Sequence, residues 1–239
     1  MSFVLVHGAG GNSSCWDEVV PHLREPVVAV DLLGRGRRPY PLERLTIRLF
    51  ADAVVDDIRS HQLDNVILVG HSLAGITLPS VVERIPGRIR HVVFIAAAVP
   101  PHGRRIVDML DPPLREGAEA SARRPPGPVD ESVARVLFCD GMGEELTERT
   151  LSRLVPDSPA LVLEPVSLEG LENGVPRSWI RLDRDIVNPP AQQDDAIARL
   201  GAHVHTLDAG HMAMLTHPVE LAAILMSIAA HDPLSEGST

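Results

Sequence analysis

Residues 65–75 read Asn-Val-Ile-Leu-Val-Gly-His-Ser-Leu-Ala-Gly, and no other stretch restricts the fold so tightly. An apolar run of strand composition stops at a serine flanked by small residues, and residues 73–84 then carry apolar side chains at helical spacing. A serine held between a strand and a helix in this way sits in a strained backbone that lifts its hydroxyl above the sheet edge, the geometry of a nucleophile elbow. Bulkier side chains at Gly70 or Ala74 would collide with the adjoining strand and helix. The turn therefore requires a packed sheet around it.

The remaining chain supplies one. Residues 3–7, 27–31, 66–70, 91–97, 179–182 and 202–207 read as largely apolar strands. Residues 16–24, 46–62, 73–84, 190–200 and 218–231 read as helices. Such alternation predicts an α/β fold, a mostly parallel sheet flanked by helices on both faces. With 44% of its 239 residues apolar, the chain can bury one substantial core. Residues 100–164 break the alternation: they are rich in Pro, Arg and acids, and the prolines at 112–113 and 125–128 are expected to interrupt helices. We expect a cap inserted there, with helices over 130–137 and 144–154, on a core made of 1–99 and 165–239. Residues 232–239 are expected to form a frayed tail.

A serine hydroxyl is a poor nucleophile near neutral pH unless a base takes its proton and a carboxylate orients that base. His211 lies in a turn just after the strand 202–207, and Asp183 and Asp185 follow the strand 179–182. Asp185 is the favoured acid because it lies further past its strand and can bend toward the histidine loop, with Asp183 in reserve. The first strand opens into Gly8-Ala9-Gly10-Gly11-Asn12, whose backbone N–H groups can approach an oxyanion, and the amide of Leu73 stands at a helix N-terminus. Phosphate binding is set aside, since the loop lacks Gly-x-Gly-x-x-Gly spacing and no Lys-Ser/Thr follows.

Residues 3–16 (Phe-Val-Leu-Val-His-Gly-Ala-Gly-Gly-Asn-Ser-Ser-Cys-Trp), 70–75 and 210–218 (Gly-His-Met-Ala-Met-Leu-Thr-His-Pro) together resemble the α/β-hydrolase group that contains plant methylesterases and hydroxynitrile lyases. The likeness spans both ends and the middle of the core and fades over 100–164. It implies Ser72 as nucleophile, His211 as base, Asp185 as acid, and the amides of Ala9 and Leu73 as oxyanion donors. The lyase branch carries threonine where this chain has Gly8, and a lysine after the histidine where it has Met212. Lacking that cation, the chain resembles the esterase branch. A small, largely apolar ester is the expected substrate, in a pocket lined by Gly8, Leu73, Met212 and Met214, with no cofactor and no metal. Two rivals use the same residues: a lyase, cyclase or dehydratase of specialised metabolism, and a ligand-sensing protein on a hydrolase scaffold.

Composition narrows the partners. The net charge of −10 argues against nucleic acid and anionic membranes, and a homodimer is left open. All 22 residues counted as Lys or Arg are arginine, which removes lysine Schiff-base chemistry and fits a GC-rich bacterial coding sequence. Cys15 and Cys139 are too few for a disulfide framework, and no leader precedes the first strand, so a cytoplasmic location is expected. His203, His205, His211 and His217 lack acidic or thiol partners at metal-site spacing. His71 is expected to pack at the elbow, Asp31 to be structural, and Arg35, Arg37 and Arg38 to form a solvated basic edge.

Overall fold

A computed structural model of the chain describes residues 1–230. The expected tail at 232–239 and His231, last residue of the expected final helix, lie outside the described residues. Within them a six-stranded sheet forms from β1 (Ser2–Val6), β2 (Val27–Val30), β3 (Val66–His71), β4 (Ile89–Ile95), β5 (Arg177–Leu182) and β6 (His203–Leu207). The order is β2-β1-β3-β4-β5-β6 and every neighbouring pair is parallel. Strand alternation sorts the core onto two faces. Val4, Val6, Leu68, Phe94 and Trp179 pack with α1 (Ile47–Ser60), α2 (Leu78–Arg84) and α6 (Pro190–Leu200). Phe3, Leu5, Ile67, Val69, Ile95 and Ile180 pack with Trp16, Val19 and α8 (Pro218–Ala230). Both faces are covered, so β1 and β3 are buried along their whole length.

Proline accounts for most departures from the expected elements. Residues 16–24 do not form an α-helix: 3-10 turns at Ser13–Trp16 and Val20–His22 replace it, and Pro21 cannot donate to a helical ladder. The expected helix 73–84 divides into a 3-10 turn, Ser72–Ile76, and α2, with Pro79 at the start of the latter. The Pro112–Pro113 pair does not interrupt a helix. It opens α3 (Pro112–Ala122), since the first helical positions need no donor. The helices expected at 130–137 and 144–154 stand as α4 (Glu131–Phe138) and α5 (Glu144–Arg153). The Asp130 carboxylate caps α4 by accepting the N–H groups of Ser132 and Val133. A short α7 (Ala213–Thr216) precedes α8. Among the described residues, no helix is long and apolar enough to cross a membrane.

Chain order reverses around β1, which lies between β2 and β3. Ligands of open parallel sheets bind at such a switch point, beyond the strands' carboxyl ends. The Gly8 loop leaves β1 there, and Ser72 leaves β3.

Candidate active site

Ser72 has φ +52°, a left-handed conformation that costs a non-glycine residue energy. Packing pays for it. The Ser72 carbonyl accepts the Ala98 N–H at 2.9 Å. A β-carbon at Gly70 would stand 2.7 Å from Leu78 Cδ1, and one at Gly75 2.5 Å from the Ala98 carbonyl oxygen. Leu73 follows in the first turn of a 3-10 helix, where its N–H has no intrahelical partner.

The loops after β5 and β6 bring Asp185 and His211 to this hydroxyl. Asp185 Oδ2 lies 2.8 Å from His211 Nδ1, and His211 Nε2 lies 3.0 Å from Ser72 Oγ. The other Asp185 oxygen accepts the N–H groups of Val187 and Asn188 at 2.8 and 3.0 Å. With Nδ1–H donating to a buried carboxylate, Nε2 is left as the acceptor facing the serine hydroxyl. Asp183, the reserve acid, is turned away and pairs with Arg181 at 2.9 Å.

Three further residues shape this half of the site. Gln193, fully buried, accepts from Trp179 Nε1 and the Leu182 N–H and donates to the carbonyls of Leu182 and Asn188, joining the β5 end to the acid loop. His71 goes beyond packing at the elbow: its Nε2–H donates to the His211 carbonyl at 2.9 Å, with the rings 4.6 Å apart. Burial, then the neighbouring His211, hold the His71 pKa well below the ordinary histidine value. Phe138, at the end of α4, stacks toward the His211 ring with centroids 6.1 Å apart. Gln193 and Phe138 carry no local signal, and the motif that contains His71 does not show its bond to the His211 carbonyl, because these partners are set by tertiary contact.

The glycine-rich loop lies against the elbow. A β-carbon at Gly8 would meet Ser72 Cβ at 2.9 Å and His71 Nδ1 at 3.2 Å. His7 Nδ1–H donates to the Gly8 carbonyl at 2.8 Å, and His7 Nε2 accepts the Leu32 N–H at 3.3 Å. Burial brings the His7 pKa down to about 4, against the opposing Gly8 hydrogen bond, so the ring is neutral near pH 7. Ala9 is half-buried beside it.

Other expectations need correction. Met214 has no exposed surface: α7 turns it into the core with Phe3, Leu5 and Trp16, whereas Met212 is only half-buried. Arg35, Arg37 and Arg38 are no free basic edge. Arg35 is buried and paired with Asp157, Arg38 pairs with Asp57, and exposed Arg37 pairs with Asp31. Burial works to raise the Asp31 pKa, but hydrogen bonds from Arg37 and Ser13 outweigh it and set it at about 2, as a structural carboxylate requires. Burial raises the thiol pKa of Cys15 and of Cys139. His203 and His205 stack edge to face on β6, and among the described residues no His, Cys, Asp or Glu group is arranged to hold a metal.

A sheet of this topology with a serine elbow at its switch point defines a class, and the chain belongs to the alpha/beta hydrolase family, whose model matches residues 3–224. It is an esterase-type member, distantly homologous to plant methylesterases. Methylesterase 17 of Arabidopsis thaliana is 29% identical over 252 residues, covering 95% of this chain and 91% of that protein. An extracellular alpha/beta-hydrolase from a Paenibacillus species, described as sharing structural and functional homology with Tobacco Salicylic Acid Binding Protein 2, superposes with a TM-score of 0.84. It is 24% identical, over 97% of this chain and 100% of its own. Polyneuridine aldehyde esterase superposes with a TM-score of 0.78 at 24% identity, over 95% of this chain and 98% of its own.

Proposed function

We propose that the chain is a serine carboxylesterase acting on small, largely apolar esters of short alcohols, the class its methylesterase relative suggests. His211 Nε2 takes the Ser72 proton as Oγ attacks the ester carbonyl carbon, and Asp185 stabilises the imidazolium that forms. The carbonyl oxygen becomes an oxyanion received by the amides of Ala9 and Leu73. Collapse expels the alcohol with the proton held by His211, leaving an acyl-enzyme. Water then gives its proton to His211, attacks the acyl carbon and releases the acid, returning the proton to Ser72. Residues 100–164 act as a cap, with Phe138 over the imidazole and Leu73 and Met212 beside the acyl group.

The unbroken line of contacts from Asp185 Oδ2 through His211 to Ser72 Oγ, at 2.8 and 3.0 Å, supports this reading most directly. Hydroxynitrile-lyase chemistry is disfavoured. Position 8 has no room for a β-carbon beside Ser72 without a shift, and Met212 offers no charge to departing cyanide.

A fluorophosphonate label and a short-chain nitrophenyl ester test the proposal. Labelling with burst release of nitrophenol, both lost in Ser72→Ala, is the expected result. Labelling without ester turnover would favour a lyase-like or sensing role, and absence of labelling would remove the activated serine.

A further inference from the structure

The Gly10 backbone is bound on both sides by a segment far away in sequence. Its N–H donates to Asp157 Oδ2 at 2.8 Å, and its carbonyl accepts the Val155 N–H at 2.9 Å. Gly10 has φ +63°, and the position of its missing β-carbon faces Leu154, Val155 and Val129. The loop next to the nucleophile is thus paired, like a short strand, with the end of the cap.

Asp157 is itself held from several directions. Its backbone exchanges two hydrogen bonds with Gly127, at 3.2 and 3.0 Å, which closes the proline-rich part of the cap. Its second carboxylate oxygen accepts the Ser158 N–H at 2.6 Å and pairs with the Arg35 guanidinium. The Arg35 side chain is 1% exposed and lies over the Phe50 ring, 5.6 Å from its centroid. A buried carboxylate bonded to the loop that follows β1 would oppose negative charge there if left alone. Paired with a buried guanidinium, it anchors the loop without adding net charge.

We propose that Asp157, neutralised by Arg35, is a positioning residue for the oxyanion loop: by holding the Gly10 N–H its carboxylate fixes the Ala9–Gly10 peptide, which restricts rotation at Ala9 and keeps the preceding Gly8–Ala9 peptide, the one that carries the Ala9 N–H, aimed at the developing negative charge. This role rests on the acyl-transfer reading above. It makes the cap part of the catalytic geometry, because an insertion that opened at residues 155–157 would release the loop.

The test compares Asp157→Ala, Asp157→Asn, Arg35→Met and the double variant Arg35→Met/Asp157→Asn with wild type. Nitrophenyl acetate turnover, affinity for a phenylboronic acid and Gly10 amide hydrogen exchange by NMR are measured on each. Asp157→Ala should lower kcat about 100-fold, the scale of losing one oxyanion donor, with KM nearly constant. Boronate affinity should fall in parallel with kcat/KM, since the boronate adduct is tetrahedral, and the Gly10 amide should exchange at least about tenfold faster. Arg35→Met should lower kcat at least about tenfold, and adding Asp157→Asn should restore most of it, because a neutral amide still accepts the Gly10 N–H and no unpaired charge remains. Unchanged Gly10 exchange, a loss confined to KM, or a double variant worse than Arg35→Met alone would overturn the proposal. Wild-type protein that neither labels nor turns over ester would instead overturn the acyl-transfer reading on which it rests.

Discussion

Asp185 and His211 hang from the ends of adjacent strands β5 and β6, 26 residues apart in sequence, whereas Gly10 is tied to Asp157 across 147 residues. The first arm of the site is braced from within the core, by Gln193 of α6 under the acid loop and His71 at the end of β3 under the histidine loop. The second leans on an insertion outside the sheet and on a buried ion pair. A proton relay needs two hydrogen bonds in line: the neighbouring ends of β5 and β6 supply the Asp185–His211 bond, and the end of β3 supplies Ser72 for the other. An oxyanion donor needs a peptide plane aimed at a point in space, and a glycine-rich loop has no stiffness of its own to aim it.

The sharpest way to break the first arm is Asp185→Asn. The asparagine oxygen can keep the Val187 and Asn188 bonds, but its amide would donate to His211 Nδ1 and leave Nε2 protonated against Ser72. Activity should fall about 10⁴-fold with little change in stability. Asp183→Asn, on a residue paired at the surface with Arg181, should stay within about twofold. Steady-state kinetics on both variants decide it, and a deep loss in Asp183→Asn would exchange the two roles.

The second arm is tested by crowding it. Gly8→Ala puts a methyl group 2.9 Å from Ser72 Cβ, so the loop or the serine must move, and a misplacement near 1 Å costs about 100-fold in rate. Gly11→Ala, whose nearest contacts would be ordinary at 3.5 Å, should cost only a few-fold. Equal effects at the two positions would mean that contact with Ser72 does not govern the loop.

These two arms also differ in how much of them could be read beforehand. The placement of Ser72, Asp185 and His211 at strand ends was legible because strand ends are local signals, although β6, which precedes the His211 loop, is half polar and largely exposed rather than apolar. The six strands were legible for the same reason. Arg35 was not: a basic run after a strand looks solvated until Asp157 meets it from the cap. Met214 looked like pocket lining because its spacing from His211 says nothing about which way a single helical turn will face. The prolines at 112–113 looked like breaks because a proline's effect depends on whether it stands inside a helix or at its first turn. Gln193 lies on a helical face whose pattern marks it as polar, yet it is fully buried because four backbone and indole groups need it.

Gln193→Leu should therefore affect stability more than chemistry. It takes the Gln193 partner from the Trp179 indole N–H, the Leu182 N–H and the Asn188 carbonyl in a buried setting, and leaves the Leu182 carbonyl only the Asp185 N–H. A loss of at least about 2 kcal/mol in urea unfolding is expected, with kcat reduced less than about tenfold while the protein stays folded. If kcat fell as far as in Asp185→Asn, the acid loop would depend on this brace and the first arm would be no more self-supporting than the second.

The effect furthest from the chemistry concerns acid stability and again divides the arms. His7 holds the Gly8 loop as a neutral ring, with its pKa depressed from 6.5 to about 4. A histidine with a depressed folded pKa contributes stability that is complete above pH 6.5 and is lost as pH falls, because the unfolded chain takes up the proton first. The gap from 6.5 to about 4 corresponds to about 3 kcal/mol, spent between those two pH values. Asp31, lowered from 3.8 to about 2, adds slope of the same sign only as pH approaches the unfolded carboxylate value, at the bottom edge of that window. Urea unfolding at intervals from pH 7.5 to 4.5 should show stability falling with pH, and His7→Asn should flatten that fall even though the variant starts less stable. Were the variant's slope the same as wild type, the loss would have to come from His71 under the first arm or His91 in the sheet, both also depressed by burial. The Gly8 loop would then owe nothing of its pH dependence to the histidine that precedes it.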